Sequence, residues 1–143
     1  MSRNFRLSSL LRARQVQEDV AKSAVSRAST AKETARRAAA AGEAALRATS
    51  PPPAGTANAV VAAIAAQRAM AAGLAAAWQV AQASVEHHAE RLDELAVAAT
   101  RRRAVERLAE RHAEDVQRAD LAAEQRAIDE IAARYPIEVG GLG

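Results

Sequence analysis

His87, His88 and His112 are the only imidazoles in this 143-residue chain. His87 and Glu90 stand about one helical turn apart, a spacing that offers two ligands to a metal ion. A closed metal site needs three or four converging donors, so the histidines read as solvated, or as residues at the edge of a packed seam. Asp93/Glu94 and Asp129/Glu130 are neighbours in sequence and diverge on a helix, which makes them a solvated face rather than acid–base machinery. The serines lack a paired His and Asp arrangement. Gly140–Gly141 lies in a tail, not in a phosphate-cradling loop. The chain has no cysteine, which excludes disulfides, thiol chemistry and zinc–thiolate sites. No enzymatic activity, cofactor or metal is expected.

Arginine is the other chemically capable residue type. It outnumbers lysine by eighteen to two, and the pI is near 10.1. Arg suits phosphate, yet acids are interleaved throughout, the net charge is only +3, and no stacking aromatics accompany the basic residues. The expectation is charged faces of long helices, not a nucleic-acid interface. Arg101, Arg102 and Arg103 form the best local candidate for contact with an acidic surface.

These residues must be positioned by helices. One Trp, one Tyr and one Phe cannot supply the bulk of a globular core, and a chain rich in Ala, Glu, Arg and Leu is a long-helix composition. Leu7, Leu10, Arg14, Gln17, Ala21, Ala24, Ala28, Ala31, Ala35, Ala38, Gly42 and Ala45 alternate three- and four-residue steps. That stripe predicts one long helix with a mostly alanine seam. Pro51, Pro52 and Pro53 must end it. The expected organisation is a single coiled-coil domain over 1–143: a helix at 4–49, a proline-rich turn at 50–56, a helix at 57–135 capped by Thr56 or Asn58, and a mobile tail at 136–143. Arginines interrupt the N-terminal region, so no signal peptide is expected. The apolar stretch from Ala57 to Ala83 reads as a buried helix face rather than a membrane span.

A short turn between long helices predicts an all-α, antiparallel two-helix coiled-coil hairpin. The stripe expected on the second helix is Leu74, Trp78, Ala81, Val85, His88, Leu92, Leu95 and Ala99. Pairing residues whose numbers add to roughly 106 sets Leu11 and Arg14 near Leu95 and Leu92, Trp78 near Ala28, and Val85 near Ala21. The first fifty residues carry +6 and the remainder −3, so the arms attract modestly. Glycines 42 and 73 are expected where the helices approach closely. The first helix then runs out near residue 101, where the second stripe breaks at Arg102 and Glu106. Residues 102–134 are expected to form a C-terminal helical overhang, charged on most sides and suited to a partner. A weaker stripe runs through it: Val105, Leu108, His112, Val116, Ala119, Ala123, Ala127 and Ile131.

Three stretches resemble the FliJ family of flagellar export proteins. They are FRLSSLLRARQVQEDVA from Phe5, RRRAVERLAERH from Arg101 and EQRAIDEIAAR from Glu124. The matching positions are Phe5, Leu7, Leu10, Leu11, Arg14 and Glu18; Arg103, Val105, Glu106, Leu108, Glu110 and Arg111; and Glu124, Gln125, Asp129, Glu130 and Ala132. The proline turn, the very Ala-rich seam and the glycine-ended tail depart from the family pattern. The resemblance implies a non-enzymatic, stalk-like coiled coil. Its implied partners are the type III export ATPase (FliI-like), the export gate protein (FlhA-like) and export chaperones. The implied location is cytoplasmic, peripheral to the inner face of the cell membrane, with no membrane insertion and no nucleic acid. The residues expected to carry partner binding are Phe5, Leu7, Leu10, Leu11, Arg14, Arg102, Arg103, Glu106, Glu110, Arg111, Glu124, Gln125, Asp129 and Glu130. The rival readings are a virulence-type secretion stalk, a nucleic-acid-binding helical protein and a plain structural coiled coil.

Overall fold

The computed structural model describes residues 3–50 and 55–135, with side chains from residue 6 onward. It contains two α-helices, α1 (Arg3–Ala48) and α2 (Ala57–Arg134), and no strand among the described residues. The helices pack against each other as a hairpin. The expected proline turn falls largely, and the expected tail wholly, outside the described residues.

Local signals account for the helix ends. Thr56 Oγ1 accepts from the Ala59 backbone N–H at 3.3 Å, so Thr56 caps α2 by satisfying one of its orphan donors. Arg47 sits in the last turn of α1, where a cation complements the helix dipole. Thr49 Oγ1 returns to the Ala45 carbonyl at 3.0 Å, closing that end.

Burial identifies the seam on each helix. On α1 the buried and half-buried residues are Leu7, Leu11, Arg14, Glu18, Ala21, Val25, Ala28, Lys32, Ala35, Ala39, Gly42 and Leu46, with Ala24 and Glu43 beside them. On α2 the seam runs Leu74, Ala77, Ala81, Ser84, His88, Arg91, Leu95, Ala98, Arg102, Val105, Ala109 and His112. Both rows step by three and four residues without interruption, the signature of a coiled-coil seam.

Half of each expected stripe is therefore displaced by one residue. The α1 positions 10, 17, 24, 31, 38 and 45 give way to 11, 18, 25, 32, 39 and 46. On α2, Trp78, Val85 and Leu92 lie outside the seam and are 44–47% exposed; Ala77, Ser84 and Arg91 take their places. The physical reason is spacing. Ala28, Ala39 and Ala81 are the buried core of this region, and a gap set by facing alanines lies at the short end of the ~8–10 Å range for helix pairs. An indole does not fit there, so Trp78 is turned to the flank, while Val25 and Leu46 of α1 supply bulk to the seam.

The register also differs from expectation. By contact density the chain divides into two units, residues 16–100 and residues 1–15 with 101–143. In the first unit, Lys32 Nζ donates to His88 Nδ1 at 3.5 Å and Thr49 Oγ1 lies 3.7 Å from Met70 Sδ. Paired residue numbers thus add to about 119, not 106. Trp78 is not beside Ala28: a notch it lines is bordered on α1 by Lys32, Glu33 and Arg36. A tight turn at the prolines puts the hairpin's midpoint near residue 53, whereas the observed pairing puts it near residue 60. Instead Thr49 sits beside Met70, thirteen residues past the start of α2, or about 20 Å of helix rise. The first turns of α2 extend beyond the end of α1.

That offset corrects the reading of residues 57–83 as a buried face for the stretch before Leu74; Leu74, Ala77 and Ala81 do lie in the seam. An 18-residue window of α2 has mean hydropathy 1.6 and none of it is buried. Val60, Val61, Ile64 and Met70 are exposed. By length and composition alone the helix could cross a membrane; its hydropathy comes mainly from alanine.

In the second unit, Leu7, Leu11 and Arg14 of α1 are half-buried, as are Arg102, Ala109 and His112 of α2, and Val105 is buried. The seam does not break at Arg102. It continues through His112, and every described residue from 113 to 135 is exposed. The overhang thus begins about ten residues later than expected.

Candidate partner-binding site

All of the candidate binding residues with described side chains belong to the second unit, but they fall into three groups. Phe5 lies outside the described side chains. Leu7, Leu11, Arg14, Arg102 and, in part, Glu106 are used by the hairpin itself. Arg102 Nη1 donates to Glu106 Oε2 at 2.7 Å, and the Arg102 side chain is 23% exposed. These residues set the position of the helix that follows. Leu10, Arg103, Glu110 and Arg111 form the second group, on the outer surface. The third group is on the overhang: Glu124, Gln125, Asp129 and Glu130 are exposed.

The overhang stays helical by holding itself together. Arg118 reaches Glu114 at 3.7 Å and Asp115 at 3.4 Å, Gln125 Nε2 donates to Asp129 Oδ1 at 2.8 Å, and Arg134 pairs with Glu130 at 2.7 Å. Such one-turn pairs stabilise a helix by about 0.2–0.5 kcal/mol each. They also occupy charges that would otherwise contact a partner: Asp129, Glu130 and Arg134 already have neighbours. Asp120, Glu124, Arg103, Glu110 and Arg111 carry no such bond or pair among the described residues.

The expected site omitted the apolar component of this surface. Leu108, Leu121, Ile128, Ile131 and Tyr135 are more than half exposed. Leu121, Ile128 and Tyr135 recur every seven residues, so they share one line along α2 and onto the residue that follows it, whose N–H still bonds the Ile131 carbonyl. That seven-residue step was legible in the sequence, but Val116, Ala119 and Ala123 compete with it as a stripe. An exposed apolar row flanked by carboxylates has the composition of surfaces that contact other proteins. The histidines do no comparable work: His88 and His112 are seam residues, and His87 lies at the seam edge with Arg27 and Arg91.

Comparison with known proteins decides the family. The family model described as flagellar FliJ protein matches residues 2–140. The chain belongs to the FliJ family. Neither a search of curated proteins nor one of solved structures returned a match. FliJ membership makes the chain a component of flagellar protein export, a non-catalytic one by family. The family match spans the second unit's hairpin end, its overhang and the alanine-seamed unit alike.

Proposed function

We propose that this FliJ-family chain is a stalk and escort in flagellar protein export. It binds the type III export ATPase and the export gate protein and promotes delivery of chaperone-borne substrates, in the cytoplasm beside the inner face of the cell membrane. The observation that supports this most is the exposed helix after His112. It is continuous with a packed hairpin end, carries an apolar row, and has unpaired carboxylates and arginines along its base. Leu7, Leu11, Arg14 and Arg102 fix the exit of that helix. Leu10, Arg103, Glu110 and Arg111, with Glu124, Gln125, Asp129 and Glu130, supply the contacts. Polar contacts of this kind exchange readily, which suits a ring that changes shape during ATP hydrolysis.

The test replaces Arg103 and Arg111 by Ala and leaves the seam residue Arg102 intact. Two exposed charge contacts at about 0.5 kcal/mol each predict a roughly fivefold loss in the apparent affinity with which the protein stimulates the export ATPase. Helicity should be unchanged. Undiminished stimulation by the double variant would reject this surface, and absence of any effect of the parent protein on the ATPase would reject the function.

A further inference from the structure

Trp78, Val85 and Leu92 recur every seven residues beside the seam of α2 and are 44–47% exposed. They form an apolar line on α2 in the alanine-seamed unit, and Trp78 and Val85 also line a groove there. Lys32, Glu33 and Arg36 of α1 line the opposite bank of this notch of about 380 Å³, whose α2 bank runs from Trp78 through Gln82 to Val85. Glu33 is held by Arg37 at 3.2 Å, and Lys32 is turned to His88. Arg36 has no bond or pair among the described residues. The groove is apolar on one bank and net cationic on the other.

The same chain carries a complementary helix. Residues 113–135 hold six acidic and three basic side chains, a net −3. Leu121, Ile128 and Tyr135 make a row with the same seven-residue step, 57–76% exposed. Asp120 and Glu124, beside Leu121, are unpaired among the described residues. Each row spans fourteen residues, or about 21 Å.

We propose that the overhang of one copy docks along the Trp78–Val85–Leu92 line of a second copy. The third helix would complete a coiled-coil layer, with Leu121, Ile128 and Tyr135 on the apolar bank and Asp120 and Glu124 toward Arg36. The contact is heterologous, because the two surfaces differ. Each chain both gives an overhang and receives one, so the contact propagates or closes into a ring. It also removes from solution the overhang assigned above to the export partner. Self-association is measured on the purified chain alone, so its result is independent of that assignment.

The experiment is analytical ultracentrifugation of the full chain from about 1 to 300 μM, with emission of Trp78, the chain's only Trp, read at each concentration. The average mass should rise and the Trp78 emission shift to the blue together. Val85→Glu and Ile128→Glu change half-exposed or exposed positions and should keep the helix content by circular dichroism. Each should weaken association at least about tenfold. Mixed, the two variants should form a one-to-one complex, because one retains the overhang and the other the groove. Arg36→Glu, an exposed exchange that leaves the seam untouched, should weaken association about threefold, with Glu124→Arg on the other copy restoring it. A mass that stays monomeric throughout, variants that associate like the parent, or a mixture that fails to associate would each overturn the proposal.

Discussion

At the scale of single residues, size and burial are nearly inverted. The one Trp is half-exposed, whereas alanines form most of the core. Val105→Ala should therefore destabilise the protein by about 1.5 kcal/mol, two methyls removed from a buried site. Trp78→Ala should cost less than half as much despite the larger side chain, as denaturant melts of both variants will show. The two helical glycines also part company. A Cβ on Gly42 would meet Leu74 Cδ1 at 3.4 Å, whereas one on Gly73 meets nothing within 4 Å. Close approach explains Gly42 and leaves Gly73 unexplained. Gly73→Ala should stabilise the fold by roughly 0.5–1 kcal/mol through the helix propensity alone, measured as a raised denaturation midpoint.

At the scale of elements, the sequence revealed that two long helices pack, and the period of their seam, but not its phase. Alanine is the cause. Ala24 next to Val25, Ala38 next to Ala39, and Ala98 next to Ala99 offer almost the same apolar content to two stripes one residue apart. Reading the bulkier choice on α2 selected Trp78, Val85 and Leu92. The structure selects the bulkier choice on α1 instead, Val25 over Ala24 and Leu46 over Ala45, with the small or polar Ala77, Ser84 and Arg91 in the α2 seam. Register was illegible for a related reason: an alanine seam matches another alanine seam at many offsets. What distinguishes the observed offset is a few side chains, Lys32 on His88 and Leu74 against Gly42. Spin labels at residues 32 and 88 should accordingly lie close together, while labels at 28 and 78 should be separated by about 20 Å along the helix axis. Equal distances for the two pairs would refute the register. The candidate site was legible as charge and family motif. The spacing of its apolar row was legible too, but not its exposure, because the sequence gives no sign of which heptad positions remain uncovered until the register is known.

At the scale of the whole molecule, stability is spread thinly. Among the described residues, four buried apolar side chains and one buried glutamate, Glu18, make up the interior. Most of the ion pairs lie within one helix turn and are exposed, and such pairs contribute at most a few tenths of a kcal/mol each. Cooperative order should therefore follow seam contact. Amide hydrogen exchange should show protection along residues 18–48 and 74–112 and fall sharply after His112, where a helix without tertiary support is marginal in water. Protection extending at the same level to Arg134 in a dilute monomer would mean that the overhang is held by contacts the structure does not contain.

Lysine is scarce here, and its placement has a practical consequence. Lys22 and Lys32 are the chain's only two, and both lie inside α1. Endoproteinase Lys-C can cut this chain at those two bonds alone, and neither bond enters a protease cleft while the helix is intact. Its cleavage rate is consequently a direct gauge of how often the hairpin opens.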